Sequence, residues 1–83
     1  MKQFLSVVLR KQSDDLVRLT GLCYRRGVPI ECLSYVAEPE NGTVRVMAVL
    51  DCGKPTAEQL RRQVANLVNV VGASLSDSAA SPQ

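Results

Sequence analysis

The spacing of apolar residues along this chain changes twice in the same order, from every second residue to the helical repeat and back, and this limits the fold more than any other feature. Gln3 to Arg10 (QFLSVVLR) places Leu5, Val7 and Leu9 on one side and Phe4, Ser6 and Val8 on the other, the pattern of a strand. Ser13, Asp14 and Asp15 then suit the first turn of a helix, where side-chain oxygens cap free N–H groups and carboxylates meet the positive dipole end. Leu16, Leu19, Leu22 and Cys23 recur at the helical period, and Arg25, Arg26 and Gly27 give cations followed by a residue that accepts positive φ. The helix therefore ends at Gly27.

Val28 to Glu38 (VPIECLSYVAE) returns to a strand pattern, but its alternation shifts phase between Ile30 and Leu33 and Pro29 cannot donate to a ladder, so a bulge or late pairing is expected, on an edge strand. Asn41-Gly42 predicts a type I′ hairpin turn. The following strand, Thr43 to Asp51, has Val44, Val46, Ala48 and Leu50 on a strictly apolar face. Thr56 and Gln59 have the spacing of a capping box ahead of the stripe Ala57, Leu60, Val64, Leu67 and Val68, which predicts a second helix. A last strand is expected over Asn69 to Ser76. Two right-handed βαβ crossovers joined by a hairpin give βαββαβ, a ferredoxin-like α+β sandwich with two helices on one face of a four-stranded antiparallel sheet. Residues 1–76 are expected to form this one domain and 77–83 (DSAASPQ), small and polar, a disordered tail.

This fold serves unrelated functions, so the chemistry has to be read from side chains. The sequence contains no histidine, which removes His-based acid/base relays and most zinc or iron ligand sets. Its three cysteines, Cys23, Cys32 and Cys52, form no CxxC pair and are odd in number, so a metal site is not expected and a reducing, cytoplasmic setting is. No nucleophile is paired with a general base, and no catalytic residues are assigned. The net charge of +2 and the absence of aromatics from Thr43–Asp51 argue against nucleic acid as a partner. No apolar run is long enough to cross a bilayer and no secretion signal is readable at the amino end, so no membrane partner is expected.

The basic residues Arg18, Arg25, Arg26, Arg61 and Arg62 sit where solvated helix faces or helix ends would place them. What rises above background is apolar surface: Phe4, Val8, Met47 and Val49 on the outer sheet face, together with an edge strand carrying Leu33 and Tyr35. A chain of 83 residues without disulfides or a metal gains stability most readily by oligomerising, so a homodimer through Leu33 and Tyr35 is expected.

Leu16 to Leu33 (LVRLTGLCYRRGVPIECL) resembles the signature stretch of the small regulatory subunit of acetolactate synthase, an ACT-domain family, and Gln63 to Ser74 (QVANLVNVVGAS) is similar to a second segment of that family. The resemblance covers residues 4–76 and implies an ACT-type βαββαβ domain, consistent with the order of elements above. It also implies side-by-side dimers, a branched-chain amino acid effector at the dimer interface, and a partner, the catalytic large subunit. That partner carries thiamine diphosphate, Mg²⁺ and usually FAD, so this chain itself is expected to hold no cofactor. A non-catalytic activator in branched-chain amino acid biosynthesis is the implied role; a free-standing amino-acid-sensing ACT module is the alternative.

In the valine-sensitive pattern the first strand/helix loop reads Asn-x-x-Gly, and the residues here are Lys11 and Asp14. Pro29 stands where an Asn helps bind the effector, and Ile30 is the one residue of that pocket retained. A carboxylate and a side chain at the glycine position oppose the effector carboxylate, so weak or absent valine binding is expected.

Overall fold

The computed structural model describes residues 2–11 and 15–76, with the side chain of Asp15 excluded. The elements run β1 (Lys2–Arg10), α1 (Asp15–Arg25), β2 (Ile30–Glu38), β3 (Thr43–Asp51), α2 (Lys54–Ala65) and β4 (Val70–Ser76), with one short 3-10 turn at Pro39–Asn41. The four strands form one antiparallel sheet in the order β2-β3-β1-β4. This is the expected βαββαβ sandwich. Register explains how it packs: Leu5, Val7 and Leu9 lie opposite Ala48, Val46 and Val44, and all six are buried beneath the helices. Leu19 and Cys23 of α1 and Ala57, Leu60 and Val64 of α2 close that core from above.

The end of α1 follows from its sequence. Val28 N–H donates to Cys23 O at 2.9 Å and Gly27 N–H to Tyr24 O at 3.0 Å, while Gly27 takes φ +66°. This is a Schellman closure, in which the left-handed residue lets two otherwise orphaned carbonyls find donors. Val28, buried with Cys23, supplies the accompanying apolar contact. Ser13 and Asp14, expected in the first turn, lie outside the described residues, as does the segment 77–83.

Four local expectations are corrected. First, β2 begins at Ile30 rather than Val28, which is the late pairing that Pro29 suggested: the Val28 N–H is committed to the helix end and Pro29 offers only its carbonyl, which accepts from Asp51 N–H at 3.1 Å. The expected bulge is present, with Glu31 between the pairs Ile30↔Leu50 and Cys32↔Val49. Second, Asn41-Gly42 does not form a two-residue turn. Glu38 pairs with Thr43, so the loop holds four residues; Pro39 starts a 3-10 turn and Gly42, at φ +66°, donates to Pro39 O at 3.2 Å. Pro39 cannot extend the ladder, which ends the hairpin before the dipeptide is reached.

Third, α2 starts at Lys54 with Gly53 as N-cap and no side-chain cap, so Thr56 and Gln59 form no capping box. Pro55 in the first turn, with φ preset and no N–H to satisfy, moves the start upstream. Fourth, the helix stops at Ala65. Asn66 N–H donates to Gln63 O, Leu67 N–H to Val64 O and Val70 N–H to Leu67 O, so tight turns carry the chain into β4 and leave Val68 exposed. β4 accordingly starts at Val70 rather than Asn69, and it carries its own bulge at Val71, between the pairs Leu9↔Val70 and Val8↔Gly72.

Candidate functional site

Leu33 and Tyr35 stand on β2, the edge of the sheet, with β3 on one side and no strand on the other among the described residues. They lie opposite Ala48 and Val46, so they belong to the helix-side face. They are 41% and 56% exposed, whereas their neighbours in β3 are buried. The sheet is one strand wider here than its cover of helices. The bulge at Glu31 sets this orientation: unbroken alternation from Ile30 would have turned Leu33 and Tyr35 to the outer face. They therefore do not share a face with Phe4, Val8, Met47 and Val49. On the outer side β2 instead presents Cys32, Ser34 and Val36 beside Val49, Met47 and Arg45. Phe4, Val8, Met47 and Val49 are half-buried on a face that no described element covers.

Ile30 is half-buried at the start of β2, packed against the core and opposite Leu50. Lys11 is exposed at the other end of β1, where its N–H donates to Gly42 O at 3.0 Å. Lys2 pairs with Asp51 at the Ile30 end and Arg10 with Thr43 at the Lys11 end. Eight strand steps separate these ends, about 27 Å at roughly 3.4 Å per residue. Within one chain, Ile30 and Lys11 therefore stand at opposite ends of the sheet. Gln12, Ser13 and Asp14 of that loop lie outside the described residues.

The charged side chains form a pattern that the sequence hid. Arg61 grips Glu58 through Nη2 at 2.6 Å, and Arg62 Nε lies 3.5 Å from the same carboxylate. The Arg61 hydrogen bond holds the Glu58 carboxyl below the usual carboxylate range. Arg26, in contrast, is held by neutral groups: Nε–H donates to Gln63 Oε1 and Nη1–H to Gln59 Oε1, each at 3.1 Å. On the sheet, Lys2 pairs with Glu31, and Arg45 with Glu38 at 3.4 Å. No group of three His, Cys, Asp or Glu among the described residues could hold a metal ion.

Gln3 is a further polar residue that the sequence reading did not single out. It is 1% exposed on the helix-side face opposite Leu50, and neither its amide nitrogen nor its amide oxygen has a hydrogen-bond partner among the described residues. Its phase with Leu5, Val7 and Leu9 was the available signal. Cys23 is buried, Cys52 half-buried and Cys32 exposed, and burial pushes the Cys23 and Cys52 thiols up.

No protein-family model matches the chain. Over 72 residues it is 36% identical to the small subunit of acetolactate synthase isozyme 3 of Escherichia coli, a match covering 86% of this chain and 44% of that protein. The chain thus spans less than half the length of the curated relatives it matches. Among solved structures it superposes on the acetolactate synthase small subunit of Thermotoga maritima with TM-score 0.81 and 21% identity, covering 96% of this chain and 50% of that one. It superposes on the ACT domain of a Chlorobium tepidum GTP pyrophosphokinase with TM-score 0.75 and 10% identity, covering 92% and 97%. The fold is therefore that of an ACT domain. No helix among the described residues is long and apolar enough to cross a membrane.

Proposed function

We propose that this ACT-type domain, similar in sequence to acetolactate synthase small subunits, is a non-catalytic regulatory subunit. On this reading it binds and activates the catalytic large subunit of that enzyme in branched-chain amino acid biosynthesis, in the cytoplasm. The observation that carries the reading is the 36% identity over 86% of the chain to a protein named as such a small subunit. The lack of histidine agrees with a role in which the chemistry belongs to the partner.

The working form is a homodimer joined through β2. Its free edge offers a ladder of N–H and C=O groups, and Leu33 and Tyr35 offer apolar area beside it. Antiparallel pairing of two β2 edges also supports a shared effector site. A two-fold axis across that edge sets the Ile30 end of one copy beside the Glu38 end of the other. Lys11, bonded to Gly42 close to that second end, then approaches the Ile30 of the second copy. Lys11 and Ile30, at opposite ends of the sheet within one chain, come near each other only in such a pair. Valine feedback is weak or absent because Lys11, Asp14 and Pro29 replace the residues that favour the effector carboxylate.

Sedimentation and co-elution with the purified cognate large subunit test this reading. A dimer at tens of micromolar, converted to monomer by Leu33→Lys with helices intact, is expected, and wild type is expected to elute with the large subunit. A stable monomer overturns the dimer. Absence of co-elution at every ratio overturns the regulatory role and leaves the free-standing amino-acid sensor.

A further inference from the structure

The segments that build the helix layer carry a net positive charge, and they differ in this from the rest of the chain. Residues 15–26 and 54–65 hold Arg18, Arg25, Arg26, Lys54, Arg61 and Arg62 against Asp15 and Glu58, a net +4, while the remaining residues hold four cations against six anions, a net −2. A protein of net +2 is therefore polarised between its helices and the remainder of the chain.

Within that layer Arg26 is set apart by how it is held. Arg61 and Arg62 spend much of their charge on the single carboxylate of Glu58. Arg26 bridges from the end of α1 to α2 through two glutamine carbonyl oxygens, which fix the guanidinium in position without neutralising it. A guanidinium has five N–H donors, and these two bonds leave the others to a partner. A cation already ordered by neutral acceptors loses little further freedom when a carboxylate arrives, which is the condition for a strong, specific contact.

We propose that the seam between α1 and α2, centred on Arg26 where Gln59 and Gln63 hold it, is the surface that receives an acidic, carboxylate-bearing segment of the catalytic large subunit. This rests on the regulatory-subunit reading for the identity of the partner, but not for its chemistry. A peptide carboxylate is favoured over nucleic acid because Glu58 already engages Arg61 and Arg62, which leaves Arg26 as a single ordered guanidinium rather than one of a row of cations along a groove.

The test uses the full chain and four variants: Arg26→Glu, the double variant Gln59→Leu/Gln63→Leu, Leu33→Lys, and Arg10→Glu as the same charge change on the sheet. Circular dichroism checks that each is folded. Binding is measured to the cognate large subunit, to a poly-glutamate peptide and to duplex DNA of matched charge, at low and moderate salt. Arg26→Glu is expected to weaken large-subunit and peptide binding by about tenfold or more. The double glutamine variant, which keeps the charge but frees it, loses less, and Arg10→Glu stays near wild type. Salt weakens wild type more than Arg26→Glu. Unchanged large-subunit binding by Arg26→Glu overturns the surface and spares the regulatory role. Peptide binding through Arg26 without large-subunit binding keeps the acidic-segment surface and overturns the regulatory role. Failure of the wild-type chain to bind either the large subunit or the peptide overturns both. Preference for DNA over poly-glutamate, or an Arg26→Glu change in the sedimentation of the free chain, also overturns the proposal.

Discussion

Replacing Gln3 by methionine will make this protein more stable. Gln3 is 1% exposed, points to the helix-side face opposite Leu50 and has no partner for either amide atom among the described residues. Burying an amide without hydrogen bonds costs about 1–3 kcal/mol on the scale of protein mutations. Methionine has a side chain of nearly the same length and volume, adapts to irregular gaps and brings no polar group that needs a partner. Stem contacts are kept, so the net gain is about 1–2 kcal/mol. In a domain of this size each kcal/mol moves Tm by roughly 4–8 °C. Thermal melts followed by circular dichroism, at one protein concentration because a dimer melts with mass action, will show the rise. Leu5→Ala on the same strand and face serves as the opposite standard, losing about 2–5 kcal/mol. A Gln3→Met Tm equal to or below wild type refutes the reasoning, because it requires the amide to be hydrogen-bonded in solution.

The glycines separate by backbone geometry: Gly27→Ala will cost about 1–2 kcal/mol because φ is +66°, while Gly21→Ala, with only the Arg25 tip within 3.8 Å, will gain about 0.5–1 kcal/mol in urea melts. Thiol reagents will label Cys32 first, Cys52 next and Cys23 only as the chain opens, and equal rates for all three would contradict the burial order. Burial raises the folded Cys23 pKa above its unfolded value, so its share of stability is intact below pH about 8.5 and falls as pH climbs through the raised value, visible as a declining denaturation midpoint. Calorimetry with valine will give no dissociation constant below about 1 mM, roughly 4 kcal/mol, and Lys11→Asn/Asp14→Gly/Pro29→Asn will tighten binding.

Elements with one strong local cause were legible in the sequence. The alternation of Leu5, Val7 and Leu9 with that of Val44, Val46, Ala48 and Leu50 placed the two central strands, because a strand with one buried face allows only one register. Gly27 marked the end of α1 because only a left-handed residue closes that hydrogen-bond pattern. Places with two competing local signals were misjudged. Asn41-Gly42 competed with Pro39, and the proline decided where pairing stopped. Thr56 competed with Pro55 for the start of α2, and the proline again prevailed. The candidate sites depend on contacts distant in sequence and so were read less well. That Leu33 and Tyr35 lie on the helix-side face depends on one bulge at Glu31, and the Arg26–Gln59–Gln63 link joins two helices more than thirty residues apart. No local pattern announces either.

Turnover by the cognate large subunit tests the regulatory role most directly. Acetolactate formation is measured with the large subunit held fixed while this chain is added from none to a wide molar excess. A rate that rises and saturates as complex forms is expected, with no acetolactate from this chain alone and little change on adding valine. A rate that stays flat across the whole range, with the large subunit active and the chain folded, contradicts the regulatory role.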